Sequence, residues 1–420
     1  MTTTTPGPDG GLSRGLLLLT SVATGLAVAG NYFAQPLLDL IGRELGLGST
    51  SAAMVVTVAQ GGYALGLILL VPLGDLVERR RLAVSLYAAT AVFLLVSATA
   101  ANGTVLLVGT ALTALASVGA QVVVPFAVSL AAPAERGKVV GTVMTGLLLG
   151  LLLARTASGA LSEVGGWRTV YWVNAVLMAL TAVALRRFLP RLGGDGGGLT
   201  YLGLLRSTVV LFRYEPLLRW RAGIGALSLA SFSVLWTALT FLLVRPPYDW
   251  SASAIGLFGL VGAAGALTAT VAGRLADRGY VQIVTGAGTL LLLASWAAVA
   301  AGARSLAWLL VGVIVLDLAH QAVLNSTQNV IYALRPEARN RINSAFTTSF
   351  FVGGAAGSAL TSVVWAAGGW SGVCVLGAAF SAGTVVLWVL ERLTAGRAAV
   401  KAPRTEPAVP GAHRPPSVSG

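Results

Sequence analysis

The sequence is short of the side chains on which most protein chemistry runs. Its 420 residues include one cysteine, Cys374, and two histidines, His320 and His413. A lone cysteine excludes an intramolecular disulfide, and so few soft ligands leave a His/Cys metal cluster unsupported. Charge is scarce as well: 10% of residues are charged, against roughly a quarter in a soluble domain. Catalytic motifs are missing. There is no G-x-x-x-x-G-K-[ST] loop to cradle ATP phosphates and no H-E-x-x-H to hold a catalytic zinc. No Ser/His/Asp set suggests hydrolysis. These gaps argue against an enzyme and against an ATP-driven pump, and they imply neither cofactor nor metal.

What the sequence has is apolar length, with 56% of its residues hydrophobic. About 20 consecutive apolar residues cross a bilayer as a helix. Twelve stretches qualify, near 15–36, 52–74, 82–101, 104–130, 139–161, 169–187, 220–243, 253–275, 281–301, 305–330, 343–367 and 371–391. The fold class expected is therefore an all-α membrane protein of twelve spans. Residues 188–219 interrupt the series. They hold "GGDGGG" at 193–198 and then "YLGLLRSTVVLFRYEPLLRW", which suits an amphipathic surface helix. The expected organisation is a short segment 1–14, a six-helix bundle 15–187, a linker 188–219, a second six-helix bundle 220–392 and a basic, Pro-rich, disordered tail 393–420.

The net charge of +13 would suggest nucleic acid in a soluble chain. Its distribution says otherwise. With the N-terminus in the cytoplasm, the inside receives Arg79–Arg81, Arg136, Lys138, Arg274, Arg278, Arg335, Arg339, Arg341 and the linker and tail cations. The outside receives Arg43, Arg168, Arg245 and Arg304. This is positive-inside bias, and it places both termini in the cytoplasm of a cell inner or plasma membrane. The bilayer, not nucleic acid, is the partner it implies.

The two halves also repeat. "LGDLVERRR" after span two is answered by "GRLADRGY" after span eight, "PAERGK" by "PEARNR", and "GGW" at 165–167 by "GGW" at 368–370, each at an offset of 202 or 203 residues. Parallel repeats are one architecture of secondary transporters. On these motifs the chain resembles the major facilitator superfamily over essentially its whole length. "GRLADRG" at 273–279 is close to that family's loop pattern G-x-L-A-D-R-x-G. The first copy is degraded, with Val71, Leu76 and Glu78 replacing pattern residues, while Leu73, Asp75, Arg79 and Arg80 remain. "NYFAQPLL" at 31–38 and "GYALGLILLVPLGDL" at 62–76 are similar to the bacterial drug- and sugar-efflux branch.

The resemblance implies alternating access, with spans one, four, seven and ten lining a central cavity. Spans two, five, eight and eleven would face one another across the halves. It implies a gating clamp at Asp75, Arg79, Arg80, Asp277 and Arg278, where a carboxylate holds a neighbouring helix in one state. The glycines Gly62, Gly66, Gly146, Gly150, Gly256, Gly259, Gly262, Gly265, Gly353, Gly354 and Gly357 are expected at the rocking interface, because small residues let helices approach and slide.

"VLDLAHQAVLNSTQN" at 315–329 is the anomaly. Asp317 lies about 18 Å into span ten at 1.5 Å per residue, and a charge there costs at least about 2.5 kcal/mol. On a helical wheel Asp317, His320, Gln321, Asn325 and Gln328 share one face. That face reads as the wet wall of a cavity. Asp317, with His320 one turn away, is the candidate proton carrier. Arg155 in span five is read as the only basic residue within a span. It either snorkels, pairs with Asp317 or meets substrate. Further cavity candidates are Asn31, Tyr32, Gln35, Gln121, Ser231, Trp236 and Thr240. Many efflux relatives carry an arginine before a Gln-Gly pair in span four, whereas "ALASVGAQ" at 114–121 has none. The function expected is a monomeric, proton-coupled exporter of a small, neutral, amphipathic or weakly charged molecule. An uncoupled or uptake facilitator of the same fold is the alternative.

Overall fold

A computed structural model describes residues 13–132, 135–191, 200–262, 275, 278–334 and 339–401. Among them there is no strand. In hydrocarbon every backbone N–H and C=O must be satisfied within the segment, and helices do this for a chain with so few polar residues. Eight helices are long and apolar enough to cross a membrane. Two of them, Arg136–Phe188 and Arg341–Thr394, have 53 and 54 residues. A straight helix of that length would reach about 80 Å, so each must fold back on itself.

Both do so at the repeated "GGW". Gly166 (φ 75°) turns span five into span six, and Gly369 (φ 54°) turns span eleven into span twelve. A left-handed backbone is cheap only for glycine, so the two copies of the motif place equivalent turns 203 residues apart. Two shorter apolar helices, Arg14–Ala29 and Ala252–Gly262, supply spans one and eight. The count is then twelve.

Several spans differ from a plain apolar rod. Span one ends as a regular helix at Ala29, passes through the 3-10 turn Gln35–Leu37 containing Pro36, and resumes as Leu38–Leu45. Pro36 sits in the first turn of that 3-10 segment, where its missing N–H costs nothing. Span four is split into Gly103–Ala116 and Gly119–Ser129. Span eight is helical over Ala252–Phe258 and continues as the 3-10 turn Gly259–Gly262. The final helix runs past Arg392, where the tail is expected to begin, to Lys401.

Linker helix Tyr201–Tyr214 is capped by Thr200 and buries Leu204 and Leu211 while exposing Leu202. It is tied to the first bundle by the Tyr201 hydroxyl, which donates to Leu69 O at 2.8 Å. At the same end Arg80 donates to Arg186 O. At the opposite end Glu44 accepts from Trp167 Nε1 at 2.9 Å and Arg168 Nη1 at 2.7 Å, and Trp370 Nε1 donates to Val299 O at 3.2 Å. The tryptophan of each "GGW" thus pins the end of its own bundle.

The glycines correct the sequence expectation. Gly62 and Gly66 press on Ala111 and Leu115 of span four, Gly146 and Gly150 on Ser21 and Gly25 of span one, and Gly353 and Gly357 on Ala226 and Ala230 of span seven. These contacts lie within one bundle. They hold helices at backbone distance where a Cβ would strike a neighbour's main chain. Of the glycines expected at the interface, only Gly256 and Gly259, against span five, and Gly354, against Gln60 of span two, reach across the halves among the described residues; Gly159, not expected there, also does so against Ala252 of span eight. Gly262 faces span ten, and Gly265 lies outside the described residues. The pairing of spans across the halves is as expected. Thr57 donates to Ser358 Oγ at 3.2 Å between spans two and eleven, and Thr156 donates to Gly256 O at 3.1 Å between spans five and eight.

Candidate functional site

A cavity of about 640 Å³ lies between the bundles. Span one brings Asn31 and Tyr32 to it, span two Tyr63, span four Gln121 and span five Arg155. From the second bundle come Phe232 of span seven, Asp317, His320, Gln321 and Gln328 of span ten, and Phe350 and Phe351 of span eleven. Span five adds an apolar wall of leucines that includes Leu148 and Leu152.

The charged centre is built around one indole. The Arg155 guanidinium stacks on Trp236, its Cζ 3.8 Å from the ring centroid, and lies 5.3 Å from the Tyr32 ring. Such a contact is worth about 0.5–2 kcal/mol. Arg155 Nε donates to Gln35 Oε1 at 2.7 Å. Trp236 Nε1 in turn donates to Asp317 Oδ1 at 3.3 Å. Arginine and aspartate therefore share a tryptophan, not a direct ion pair. Snorkelling is excluded by burial, since Arg155 is 4% exposed and Asp317 5%. Span eight makes the room. A Cβ on Gly259 would fall 2.9 Å from Arg155 Cβ, and one on Gly262 would fall 2.8 Å from Asp317 Oδ2.

His320 is gripped on both faces. It stacks on Phe232 (centroids 4.6 Å, 28°) and on Phe350 (5.8 Å, 24°), and its Nδ1 shares a hydrogen bond with Ser228 Oγ at 2.8 Å. Tyr63 packs on Phe351 at 4.5 Å, and Gln121 Nε2 donates to the Tyr63 hydroxyl at 3.4 Å.

The predicted residues separate accordingly. Asn31, Tyr32, Gln121, Arg155, Asp317, His320, Gln321 and Gln328 line one cavity. Gln35 and Trp236 stand behind it and position Arg155 and Asp317. Asn325 is set back from the cavity, its Oδ1 accepting from Gln321 Nε2 at 3.4 Å. The wheel's polar face is wider than the wall it forms. Ser231 bonds to Trp296 Nε1 and Ser381, and Thr240 donates to Gln35 O at 2.7 Å. Both serve packing. At the basic end Arg79 Nε donates to Gly74 O at 3.4 Å, Asp75 closes the 3-10 turn Val71–Asp75, and Arg278 is exposed. Asp277 lies outside the described residues.

Two charges were misread. Arg155 is not the only buried arginine within a membrane helix, and Asp317 is not the only buried acid. Arg221, fully buried in helix Pro216–Leu243, pairs with Glu391, which is 2% exposed. Each sits near the end of its apolar run, where sequence assigns charges to the interface. The aromatic cradle of Phe232, Phe350 and Phe351 was also missed. A phenylalanine in a lipid-soluble helix carries no mark of which way it faces.

Twelve spans in two repeated bundles around a buried, partly polar cavity define a membrane transporter. The chain belongs to the major facilitator superfamily: the family described as Major Facilitator Superfamily matches residues 20–297 and again 222–417. It is therefore a multi-pass transporter of a small molecule and not an enzyme. It is 51% identical over 381 residues to "Uncharacterized transporter YgaY" of Escherichia coli O157:H7, covering 91% of this chain and 96% of that one. It is 34% identical over 382 residues to "Probable transporter SCO4007" of Streptomyces coelicolor, covering 89% and 87%. Among solved structures, a bacterial homologue of the human lysosomal transporter Spinster in an inward-facing, occupied conformation aligns at TM-score 0.67 and 15% identity, over 91% and 95% of the two chains. A POT family transporter bound to a thioalcohol-conjugated peptide aligns at TM-score 0.70 and 14% identity, over 91% and 96%. These two share the fold.

Proposed function

We propose that this transporter exports a small organic molecule in exchange for protons, with Asp317 as the proton-carrying group and His320 as a second titrating group in the same wall. One observation carries the reading. Asp317 is the only carboxylate among the described cavity residues, and no cation is bonded to it. A carboxylate at mid-depth that faces a cavity without a bonded cation is suited to taking up and releasing a proton as access alternates. The basic loops support a cytoplasmic location for both termini, in a cell inner or plasma membrane, with 188–219 as the linker between bundles 15–187 and 220–392. Asp75, Arg79, Arg80, Asp277 and Arg278 are assigned to the gate on the cytoplasmic side. The chain is taken to act as a monomer of the drug- and sugar-efflux type.

The test is transport in proteoliposomes with an imposed pH gradient, using a compound supplied by a susceptibility or metabolite screen of a deletion strain. Lumenal pH and the compound are followed together. Coupled movement that disappears in Asp317→Asn is the expected result. Flux that ignores the gradient would make the protein a facilitator instead.

A further inference from the structure

We propose that the cavity takes a zwitterion whose ammonium and carboxylate lie on opposite edges of an aromatic or similarly bulky apolar body. The carboxylate meets Arg155 and the ammonium meets Asp317. The proposal rests on the reading of this cavity as the transport site and deepens it by naming a substrate class.

Arg155 presents an unfilled donor. Its Nε is taken by Gln35, but Nη2 is buried without any hydrogen-bond partner, on a side chain that lines the cavity. Leaving such a donor unmatched is unfavourable, and the planar guanidinium fork suits a carboxylate better than any neutral acceptor. Asp317 presents the complementary vacancy. Trp236 occupies Oδ1, whereas Oδ2 turns towards Gly262 and makes no hydrogen bond. Had the two side chains met, they would have satisfied each other and left the cavity neutral to ligands. The Trp236 indole stands between them instead, under the guanidinium and bonded to the carboxylate.

A ligand that serves both groups must therefore carry its charges about one ring apart. A ligand with one charge leaves the other buried group unpaired, a penalty that discriminates strongly. The walls accept the body between the charges. Phe232, His320 and Phe350 form a stack on one side, and Tyr63 with Phe351 offers a second aromatic surface. The volume of about 640 Å³ leaves room for substituents beyond a single ring. In the transport cycle, the ammonium and a proton are alternatives at the same Asp317 carboxylate.

The test is binding to the purified full chain, read by thermal unfolding in detergent with no gradient present. The probe is 4-(aminomethyl)benzoate, which carries its two charges across one aromatic ring. The controls are 4-methylbenzoate and benzylammonium, with one charge each. The zwitterion is expected to bind at least about tenfold more tightly than either control, the difference one charge-assisted hydrogen bond makes. Arg155→Gln should erase its advantage over benzylammonium, and Asp317→Asn its advantage over 4-methylbenzoate. If Arg155→Gln does not fold, Arg155→Lys keeps the charge but loses the fork, and should give an intermediate advantage. The proposal is overturned if either control binds as tightly as the zwitterion, or if no probe binds. Because no gradient is imposed, that failure is separate from failure of proton coupling, which would appear only in the flux experiment.

Discussion

Among its described residues the molecule buries two arginines and two carboxylates, and treats the two sets differently. At one end of the second bundle, Arg221 closes directly on Glu391, with Nε at 3.1 Å and Nη2 at 2.6 Å from Oε1. Arg221 also donates to Thr285 at 2.9 Å, and Gln282 donates to Glu391 at 3.2 Å, so spans seven, nine and twelve share one knot. In the cavity, Arg155 and Asp317 are kept apart by Trp236. A pair in direct contact joins helices and offers little to a ligand, even though Glu391 Oε2 is left buried without a hydrogen-bond partner. Charges held apart cost more to bury, and their retention makes sense where something mobile visits them. Contact or separation, more than burial alone, distinguishes a brace from a site.

That comparison can be broken by single substitutions, and the largest effect belongs to the brace. Glu391→Ala leaves Arg221 charged and buried with no carboxylate, and should lower stability by about 3–5 kcal/mol in denaturant unfolding of the purified protein. Replacing both partners, Arg221→Met with Glu391→Met, should recover most of the loss, because an apolar pair needs no compensation. A smaller loss is expected where helices meet through glycine. Gly150→Ala and Gly353→Ala each drive a methyl into a neighbouring main chain, at Gly25 and at Ala226 respectively. Each should cost about 1–3 kcal/mol. Gly61→Ala, with open space around it, should not destabilise. Unequal losses at Gly150 and Gly353 would show that the two bundles do not rely on the same contact.

The legible parts of the sequence were those written in periodicity and repetition. Apolar length gave twelve spans, and the doubled "GGW" marked the two places where the longest helices turn, at Gly166 and Gly369. Asp317 was visible because nothing in a membrane helix is cheaper to notice than a charge. Other features depend on which neighbour a helix face meets. The glycines of spans two, five and eleven were readable as close contacts, but their partners in spans four, one and seven were not. Arg221 and Glu391 are 170 residues apart, and each alone looks like an ordinary charge at the end of a span. Trp236 could be read as a cavity residue by its span. Its place between two charges required side-chain geometry.

For the separated charges the expected change in stability is small. Asp317→Asn keeps an oxygen to accept from Trp236 Nε1 while removing a buried charge that has no cation bonded to it. Its unfolding free energy should stay within about 1 kcal/mol of wild type or rise, while proton movement linked to transport is lost. A destabilisation as large as that of Glu391→Ala would erase the distinction between brace and site. The smallest effect completes the series. Arg43 and Asp39 form a direct pair at 2.7 Å, one helical turn apart, with side chains 72% and 28% exposed. Direct contact is present there but burial is not, so water screens the attraction and little is left uncompensated when it is broken. Arg43→Gln should cost no more than about 0.5 kcal/mol, and the loss should shrink further as salt is added. A cost approaching that of the buried pair would mean that contact alone makes the brace, and that burial at Arg221 and Glu391 adds nothing to it.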